Sequence, residues 1–506
     1  MRAPAHRVTA ADAVAAIADD VTVAVGGFVG AGHPEMLTAA LEKRFLETGF
    51  PRGLTLVYCA GQGDRERRGL NHLAHEGLLR RVIGGHWNLA PRLGAMALAD
   101  KIEAYNLPQG VLCALLRDIA AKRAGTFTQI GLHTFVDPEH GGGRLNASTH
   151  EPLVERIRID EQVWLRYKPF PVHVALIRAT RADARGNLSF ENEALVGEVL
   201  PLAQAAKNHG GIVIAQVCEI ADTLADPKSV RVPGILVDYL VESKGVHHDQ
   251  TFAEHFNPTY VTSGTAGAPE PMTESHRRLI AARALCEIRK GDIVNLGIGL
   301  PEGVAQVAAE QDRLGEFTLT LESGPIGGLP AGGLSFGCSM HPEAVIDQPA
   351  QFDLYDGGGI DVAVLGAGEV DSAGNVNVAS LGNRFAGVGG FVNISQSARR
   401  VVFCLSLTAG DIAVALVDGY LAIEREGRHP KFVPSIRHVC FHGPSAFAQG
   451  RQILYVTERA VFELREEGLT LVEITEGIDP ERDVLAHMGF RPAIATPLRI
   501  RTLRKP

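Results

Sequence analysis

Two pairs of similar segments occur in the same order along the chain, and this internal repeat limits the possible folds most strongly. In the first pair, VTVAV at 21–25 precedes a glycine turn ending in His33-Pro34-Glu35, and DIVNL at 292–296 precedes Gly297–Glu302. Each segment reads as a strand, a glycine turn and a helix with proline at its first position. Such a repeat predicts two related α/β domains.

The second pair consists of Val174–Leu188 and Val362–Val376. Equivalent positions are occupied by Asp183, Gly186 and Asn187 in the first segment and by Asp371, Gly374 and Asn375 in the second. The interval from the proline of the glycine turn to this aspartate is 149 residues in the first half (183 − 34) and 70 in the second (371 − 301). The first half is therefore predicted to carry large insertions.

The chain has 506 residues, whereas a single hydrophobic core stops growing at about 250–300 residues. A stretch rich in proline, glycine, serine and threonine at 257–275 has no hydrophobic period, as in a linker. These features predict domains at 1–260 and 274–506, joined by a linker at 261–273. Apolar strand-like runs alternate with helical patterns, which favours an α/β fold with largely parallel sheets.

Charge and composition argue against several classes of partner. The net charge is −9, without the clusters of lysine and arginine that nucleic acids or anionic membranes attract. No apolar run approaches the ~20 residues of a membrane span, and the N-terminus lacks the apolar core of a signal peptide. Seven scattered cysteines without a C-x-x-C motif favour reduced thiols and a cytoplasmic location.

Glu322 is the first candidate for chemistry, because an alternating apolar strand ends on it in FTLTLESGPIGG. Ligands of open α/β sheets bind beyond the carboxyl ends of the strands, and glycines permit a close approach. A carboxylate there can act as a covalent nucleophile, a general base or a ribose anchor. An exposed glutamate that merely ends a strand is an equally good interpretation.

Two glycine-rich turns are further candidates. The first comprises Gly297, Ile298, Gly299, Leu300 and Pro301. Running into a helix, it would present backbone N–H groups to a phosphate or an oxyanion. A dinucleotide site fits it poorly, because Glu302 stands where the third glycine of G-x-G-x-x-G is required. The second turn, Gly387–Phe391, can donate N–H groups to a reacting carbonyl or simply connect two strands.

Histidines and one amide complete the set of candidates. His72 and His75 are three residues apart and His86 follows, but the zincin patterns H-E-x-x-H and H-x-x-E-H are absent. Structural histidines are therefore favoured over a metal site. Gln109 lies in the polar turn YNLPQG, where its amide can orient a carboxylate or cap the turn.

Taken together, these segments resemble family I CoA-transferases of the acetate and propionate type, with both subunits fused in one chain. GQGDRERRGLNHLAHEGLLRRVIGGHW, KIEAYNLPQG and TFVDPEHGGG resemble the first half of those enzymes. NLGIGLPEGVA, ESGPIGG, QFDLYDGGGID, GNVNVASLGNR, GVGGFVNISQSARRVVFC and LYVTERAVFEL resemble the second half. The resemblance implies two tandem, diverged copies of a CoA-transferase-type α/β domain.

The family's nucleophilic glutamate opens its E-x-G segment, and this position is Glu322 here. The resemblance implies a ping-pong transfer between short-chain acids such as acetate, propionate and butyrate, through a glutamyl-CoA thioester. It implies acyl-CoA and short-chain carboxylates as substrates, no metal or other bound cofactor, and a homo-oligomer, either a dimer or a tetramer. An acyl-CoA hydrolase and a non-catalytic CoA-binding protein remain alternatives on the same fold.

The resemblance also implies roles for other residues. Oxyanion and CoA binding fall on Gly297, Ile298, Gly299, Leu300, Pro301, Asn377, Gly389 and Gly390. The acyl group is expected to face Gly27, Phe28 and Gln109. Pro301 lacks an N–H and can only shape its turn. His341 departs from the small polar residue expected in the family, and its effect on acyl preference is left open.

Overall fold

The structure is a computed structural model that describes residues 5–265, 267, 271–382 and 384–503. Residues 266 and 268–270 of the predicted linker at 261–273 lie outside the described residues. The described chain packs into two compact units. Unit 1 comprises 5–265, Leu321–Asp353 and Gly382–Asn393, and unit 2 comprises 267–320, Leu354–Leu381 and 394–503. The division into domains at 261–273 stays a prediction.

The helices are α1 (Ala10–Ala15), α2 (Glu35–Thr48), α3 (Pro91–Leu98), α4 (Gln109–Ala120), α5 (Val199–Asn208), α6 (His276–Leu285), α7 (Gly303–Glu310), α8 (Gln348–Asp356), α9 (Phe391–Ser397) and α10 (Gly443–Ala448). The strands in the first part of the chain are β1 (His6–Arg7), β2 (Thr22–Val25), β3 (Leu54–Tyr58), β4 (Leu79–Gly84), β5 (Glu103–Asn106), β6 (Thr126–Thr128), β7 (Val154–Ile159), β8 (Gln162–Tyr167), β9 (Val174–Ala182), β10 (Leu188–Ser189), β11 (Ile212–Ile220) and β12 (Tyr239–Glu242). The later strands are β13 (Ile293–Leu296), β14 (Thr318–Thr320), β15 (Pro325–Ile326), β16 (Leu329–Pro330), β17 (Ser339–Met340), β18 (Ala344–Val345), β19 (Val362–Gly366), β20 (Glu369–Val370), β21 (Val376–Asn377), β22 (Ser380–Leu381), β23 (Arg384–Phe385), β24 (Arg400–Cys404), β25 (Thr408–Ala409), β26 (Ala413–Val417), β27 (Tyr420–Arg425), β28 (His429–Pro430), β29 (Gln452–Val456), β30 (Ala460–Arg465), β31 (Gly468–Thr475) and β32 (Ala493–Arg501).

Unit 1 is built on a parallel sheet with the order β1-β12-β11-β9-β2-β3-β4-β5, to which β10 adds an antiparallel pair with β9. Its central strands β2, β3 and β9 are buried almost throughout and consist mostly of apolar residues. A separate antiparallel sheet, β6-β8-β7, occupies residues 126–167. It accounts for part of the inserted length that the sequence places in the first half.

Unit 2 contains the strand order β14-β13-β19-β24-β29, in which every pair is parallel. Strands β30 and β31 continue the sheet in antiparallel fashion, and β32 pairs with β31 in parallel. The predicted α/β class with largely parallel sheets is therefore confirmed. Among the described residues, even the longest helix, α2 with 14 residues, falls short of a membrane span.

The repeat is visible at atomic detail in both units. In unit 1, the Asp183 carboxylate accepts bonds from the backbone and side chain of Asn187, whose own Oδ1 accepts the Gly234 N–H at 2.8 Å. In unit 2, Asp371 and Asn375 form the same turn, and Asn375 Oδ1 accepts the N–H of a glycine in α10 at 2.9 Å. The two Asp-x-x-Gly-Asn segments thus form the same turn, and each bonds that turn to a distant glycine N–H of its own unit.

The prolines of the repeated glycine turns lie just before their helices rather than at the first helical position. Helix α2 begins at Glu35, so Pro34 is its N-cap. Helix α7 begins at Gly303, two residues after Pro301. Both prolines still stand where an N–H would lack an intrahelical acceptor, so the physical reason for their placement holds.

Candidate active site

Glu322 occupies the corner of a tight turn that follows β14 in the chain. The Gly324 N–H donates to Leu321 O at 3.0 Å, and the Leu321 N–H donates to Pro325 O at 3.0 Å. Glu322 is partly exposed, whereas Ser323 and Gly324 are buried. The turn therefore presents one carboxylate from a backbone that is otherwise fixed.

Gly324 makes this turn possible. Its φ is +124°, which L side chains rarely adopt, and a Cβ there would lie 2.1 Å from Ile346 O. The Ile346 N–H in turn donates to Gly324 O at 3.1 Å. Gly324, two residues after Glu322, is thus required by the packing of unit 1 itself.

Phe28, predicted to face the acyl group, packs close to the Glu322 turn. Its ring centroid lies 5.8 Å from that of Phe336, and its ring covers Gly337, where a Cβ would be 2.4 Å away. Gly337 O accepts the Ser323 hydroxyl at 2.5 Å. Phe28 thus contacts Gly337, and Gly337 is bonded to Ser323, the residue next to Glu322. The preceding residue, Gly27, has a φ of +134° and packs on His33.

Gln109 and the loop at 387–390 are held together in unit 1. Gln109 is the first residue of α4, and its N–H donates to Gly389 O at 2.9 Å. The Gly389 N–H donates to Gly85 O at 2.7 Å and is therefore engaged within the protein. For Gly390, no N–H acceptor is found within the described part of the chain. Of these two glycines, only Gly390 therefore has a backbone N–H to offer to a reacting carbonyl in this conformation.

Asn106 positions this loop, a role that the sequence did not reveal. Its side-chain amide donates to Gly84 O at 2.9 Å and to Gly85 O at 2.6 Å, while its Oδ1 accepts the Val388 N–H at 3.1 Å. These partners lie 21–282 residues away along the chain. The YNLPQG turn indicated a polar corner, but nothing in its spacing pointed to the 387–390 loop.

The remaining predicted residues belong to unit 2. The turn Gly297–Pro301 follows β13, and the Gly297 N–H donates to Val364 O at 2.9 Å. In unit 1, the Gly26 N–H makes the equivalent bond to Leu176 O at 3.1 Å. Ile298 is 44% exposed, and a Cβ on Gly299 would meet no atom within 4 Å. The turn is thus an open backbone feature, suited to contact a ligand.

Asn377 is fully buried, and its amide is used within its own turn. Its Nδ2 donates to Glu369 Oε2 and to Ser380 O, each at 2.7 Å, and its Oδ1 accepts the N–H groups of Ala379 and Ser380. Two donations and two acceptances saturate an amide side chain. A role for Asn377 in CoA binding stays a prediction, and it would act through the shape of this turn.

The histidines are tied to carboxylates and backbone. His72 Nε2 lies 2.9 Å from Glu35 Oε1, and both His72 and His75 contact Glu42, at 2.5 and 2.7 Å. Burial opposes protonation of His72, but Glu35 and Glu42 outweigh it and raise its pKa. Burial lowers the pKa of His86 to about 4. Within the described ranges, no set of three His, Cys, Asp or Glu side chains is arranged to hold a metal.

His341, the departure from the family pattern, has a structural role. Its φ is +52°, its N–H donates to Thr259 O at 2.7 Å, and its Nδ1 lies 3.0 Å from Thr262 O. The imidazole also packs on Gly264. His341 therefore anchors the 259–264 segment within unit 1.

Comparison with known proteins identifies the family. The coenzyme A transferase family model matches residues 7–243. The chain is 43% identical to caffeate CoA-transferase of Acetobacterium woodii, over 97% of this chain and 95% of that protein. It is 40% identical to acetate CoA-transferase YdiF of Escherichia coli K12, over 97% and 93%. A crystal structure of the acyl-CoA transferase YdiF from E. coli O157:H7, a thioester complex with CoA, superposes with a TM-score of 0.92 at 39% identity, covering 98% of this chain and 95% of that one.

The matches cover nearly the full length of this chain and of each of these relatives. The TM-score of 0.92 shows that the fold of this chain is that of the solved relative. The similarity predicted from the motifs is therefore confirmed, and this protein belongs to the family I CoA-transferases in which both subunits are fused in one chain.

Proposed function

We propose that this CoA-transferase moves CoA from a short-chain acyl-CoA to a free carboxylate, such as acetate, propionate or butyrate, through a covalent intermediate on Glu322. The observation that carries the proposal is the turn at 321–324, which fixes the backbone on both sides of a partly exposed carboxylate. The solved relative captured as a thioester complex with CoA supports a covalent route. The named acids of the relatives, caffeate and acetate, support a monocarboxylate acceptor.

In the first half-reaction, a Glu322 oxygen attacks the thioester carbonyl, and the C–S bond breaks to release the CoA thiolate. The mixed anhydride keeps the group-transfer energy that hydrolysis would discard. The thiolate then attacks the glutamyl carbonyl, expelling the donor acid as its carboxylate and leaving a glutamyl-CoA thioester. The acceptor carboxylate repeats both steps in reverse and restores Glu322. No proton is gained or lost in the cycle.

Each attack builds negative charge on a carbonyl oxygen, which backbone N–H groups can stabilise by roughly 3–4 kcal/mol each. We assign an oxyanion contact to the Gly390 N–H, and contacts with the acyl group to Gly27, Phe28 and Gln109, whose Nε2 has no partner among the described residues. We assign CoA contacts to Gly297–Pro301 and the turn shaped by Asn377. A cytoplasmic location and a homo-oligomer, dimer or tetramer, also belong to this proposal.

The test is transfer activity of Glu322→Gln, with Glu343→Gln as the control. An amide cannot form the anhydride, so we expect a loss of roughly a thousandfold or more in kcat. Glu343 is an exposed carboxylate of the same unit, and its replacement should leave kcat within twofold. Retention of transfer by Glu322→Gln would refute the nucleophile. Acceptor-independent release of CoA by the wild type, at the rate of transfer, would indicate a hydrolase instead.

A further inference from the structure

His86 follows strand β4 at the edge of the unit 1 sheet where the carboxyl ends of the parallel strands meet. Strand β4 ends at Gly84, and β2, β3 and β5 run parallel to it in the same sheet. The residues that follow these three strands, namely the turn at 26–30, Gly61 and Gln109, therefore lie along the same edge. Ligands of open α/β sheets bind beyond this edge. The fold thus places an imidazole where a substrate is expected.

The backbone of His86 is fixed against the loop at 387–390, called the glycine loop here. His86 and Gly387 form an isolated β-bridge. The imidazole ring lies between Gly61 and the glycine loop, because a Cβ on Gly61 would be 2.5 Å from His86 Nδ1 and a Cβ on Gly389 would be 3.8 Å from His86 Cδ2. Gly61 thus leaves the space that the ring occupies.

His86 and Gln109 flank the same face of Gly389. A Cβ built on Gly389 would lie 3.5 Å from Gln109 Oε1 and 3.7 Å from His86 Cβ. Gln109 Nε2 and the Gly390 N–H, the two groups assigned above to the acyl group and the oxyanion, have no partner within the described part of the chain. The imidazole therefore stands beside both of the donors that the proposed reaction uses.

The ring of His86 is itself available for a hydrogen bond. Unlike the two histidines that contact Glu42, it has no hydrogen-bond partner for either ring nitrogen among the residues that the structure describes. The residue is partly exposed, so a ligand can reach the ring. Burial of its other sides, together with the charge of Arg65, lowers its pKa to about 4. At neutral pH the imidazole is therefore uncharged, with one N–H donor and one acceptor nitrogen.

The orientation of the ring indicates which nitrogen meets a substrate. Nδ1 faces Gly61, whereas Nε2 is bonded to Cδ2, the ring carbon on the side of the glycine loop. An uncharged Nε2–H can stabilise negative charge on a carbonyl oxygen without giving up its proton. This property suits a transfer in which no proton is gained or lost. An imidazolium would instead form an ion pair with a carboxylate.

We propose that His86 is a catalytic residue whose Nε2–H donates a hydrogen bond to the oxygen of the reacting carbonyl. In each attack, the new bond to the carbonyl carbon moves the electron pair of the C=O double bond onto that oxygen. The pair returns when the leaving group departs, and His86 keeps its proton throughout. This inference rests on the proposed function, because the oxyanion forms only if Glu322, the CoA thiolate or the acceptor carboxylate attacks a carbonyl.

The test contrasts two replacements that keep different properties of the side chain. His86→Phe keeps a ring without an N–H, and His86→Gln keeps an N–H donor without the ring. We expect His86→Phe to lower kcat by about a hundredfold, because that is the usual cost of losing one oxyanion donor. The KM for the acyl-CoA should stay within about threefold, because the bond strengthens only in the transition state. His86→Gln should retain at least about a tenth of the wild-type kcat.

His140→Ala, which alters an exposed histidine of the same unit, is the matched control and should keep the wild-type kcat. Urea denaturation checks that each variant is folded, and His86→Leu, which also lacks an N–H, replaces His86→Phe if that variant is not. A fully active His86→Phe together with an inactive His86→Gln would overturn the proposal, because the ring would then serve only packing.

The rate at which a CoA adduct forms on Glu322 from acetyl-CoA or propionyl-CoA, without an acceptor acid, separates the two proposals. We expect His86→Phe to form the adduct, but about a hundredfold more slowly than the wild type. Adduct formation by His86→Phe at the wild-type rate would overturn the role of His86 and leave the transferase intact. No adduct on the wild type would overturn both proposals.

Discussion

At the scale of single residues, Glu198 should make the stability of the protein depend on pH. Its pKa rises from the ordinary 4.5 to about 8 on folding because the side chain is buried. Between those values the folded state keeps a proton that the unfolded state has lost, so the free energy of unfolding falls as pH rises. Glu198→Gln removes this proton, and urea denaturation at pH 5 and pH 8 should show a smaller decrease than in the wild type. An unchanged decrease would mean that Glu198 is ionised in the folded protein.

Gly324 provides a second test at this scale. In Gly324→Ala, the new methyl group would meet Ile346 O at 2.1 Å on a backbone with φ of +124°, so the turn must shift. Misplacing a nucleophile by about 1 Å can cost a hundredfold in rate. We expect kcat to fall at least tenfold. Gly315→Ala, where a Cβ would meet no atom within 4 Å, is the matched control and should keep full activity. Equal activity of the two variants would contradict the role of the turn.

Some residues of the site were predictable from the sequence and others were not. Glu322 stands out because a strand, an acid and glycines are adjacent in the chain, and Gln109 stands out within a polar turn. Asn106, in contrast, acts on the Val388 N–H, a group that only the fold brings near. The engagement of the Gly389 N–H with Gly85 likewise depends on a partner 304 residues away (389 − 85).

At the scale of elements, the two Asp-x-x-Gly-Asn turns should contribute similarly to their own units. Asn187→Ala removes the bond to Gly234 and the bond to Asp183, and Asn375→Ala removes the corresponding pair in unit 2. Each loss should lower the free energy of unfolding by about 1–3 kcal/mol. Chemical denaturation of each variant measures this change. A large effect of one substitution and none of the other would show that the repeat is conserved in shape but not in energetic role.

The sequence predicted these elements well where the residues that determine them are close together in the chain. Strand, glycine turn and helix follow one another at 21–48 and 292–310, and the Asp and Asn of each repeated turn are four residues apart. The small antiparallel sheet β6-β8-β7 was foreseen only as inserted length. Strand β8 pairs with both β6 and β7, and no spacing of residues in the sequence at 126–167 indicates this pairing.

At the scale of the whole molecule, the compact units do not follow the chain in two consecutive blocks. Leu321–Asp353 and Gly382–Asn393 pack with unit 1, so that Glu322, the glycine loop and Gln109 belong to the same unit. Composition and linker patterns locate breaks along the chain, but they contain no information on which distant segments pack together. The repeat therefore predicted the kind of fold, while the assignment of the site to unit 1 required the structure.

The central claim, covalent transfer through Glu322, is tested most directly by intact and peptide mass spectrometry. The protein is mixed with acetyl-CoA or propionyl-CoA in the absence of an acceptor acid. We predict an added mass equal to CoA less one water, mapped to the peptide that contains Glu322 and absent from Glu322→Ala. A panel of short acyl-CoA donors that leaves this peptide unmodified, although CoA binding is measurable, would contradict the account.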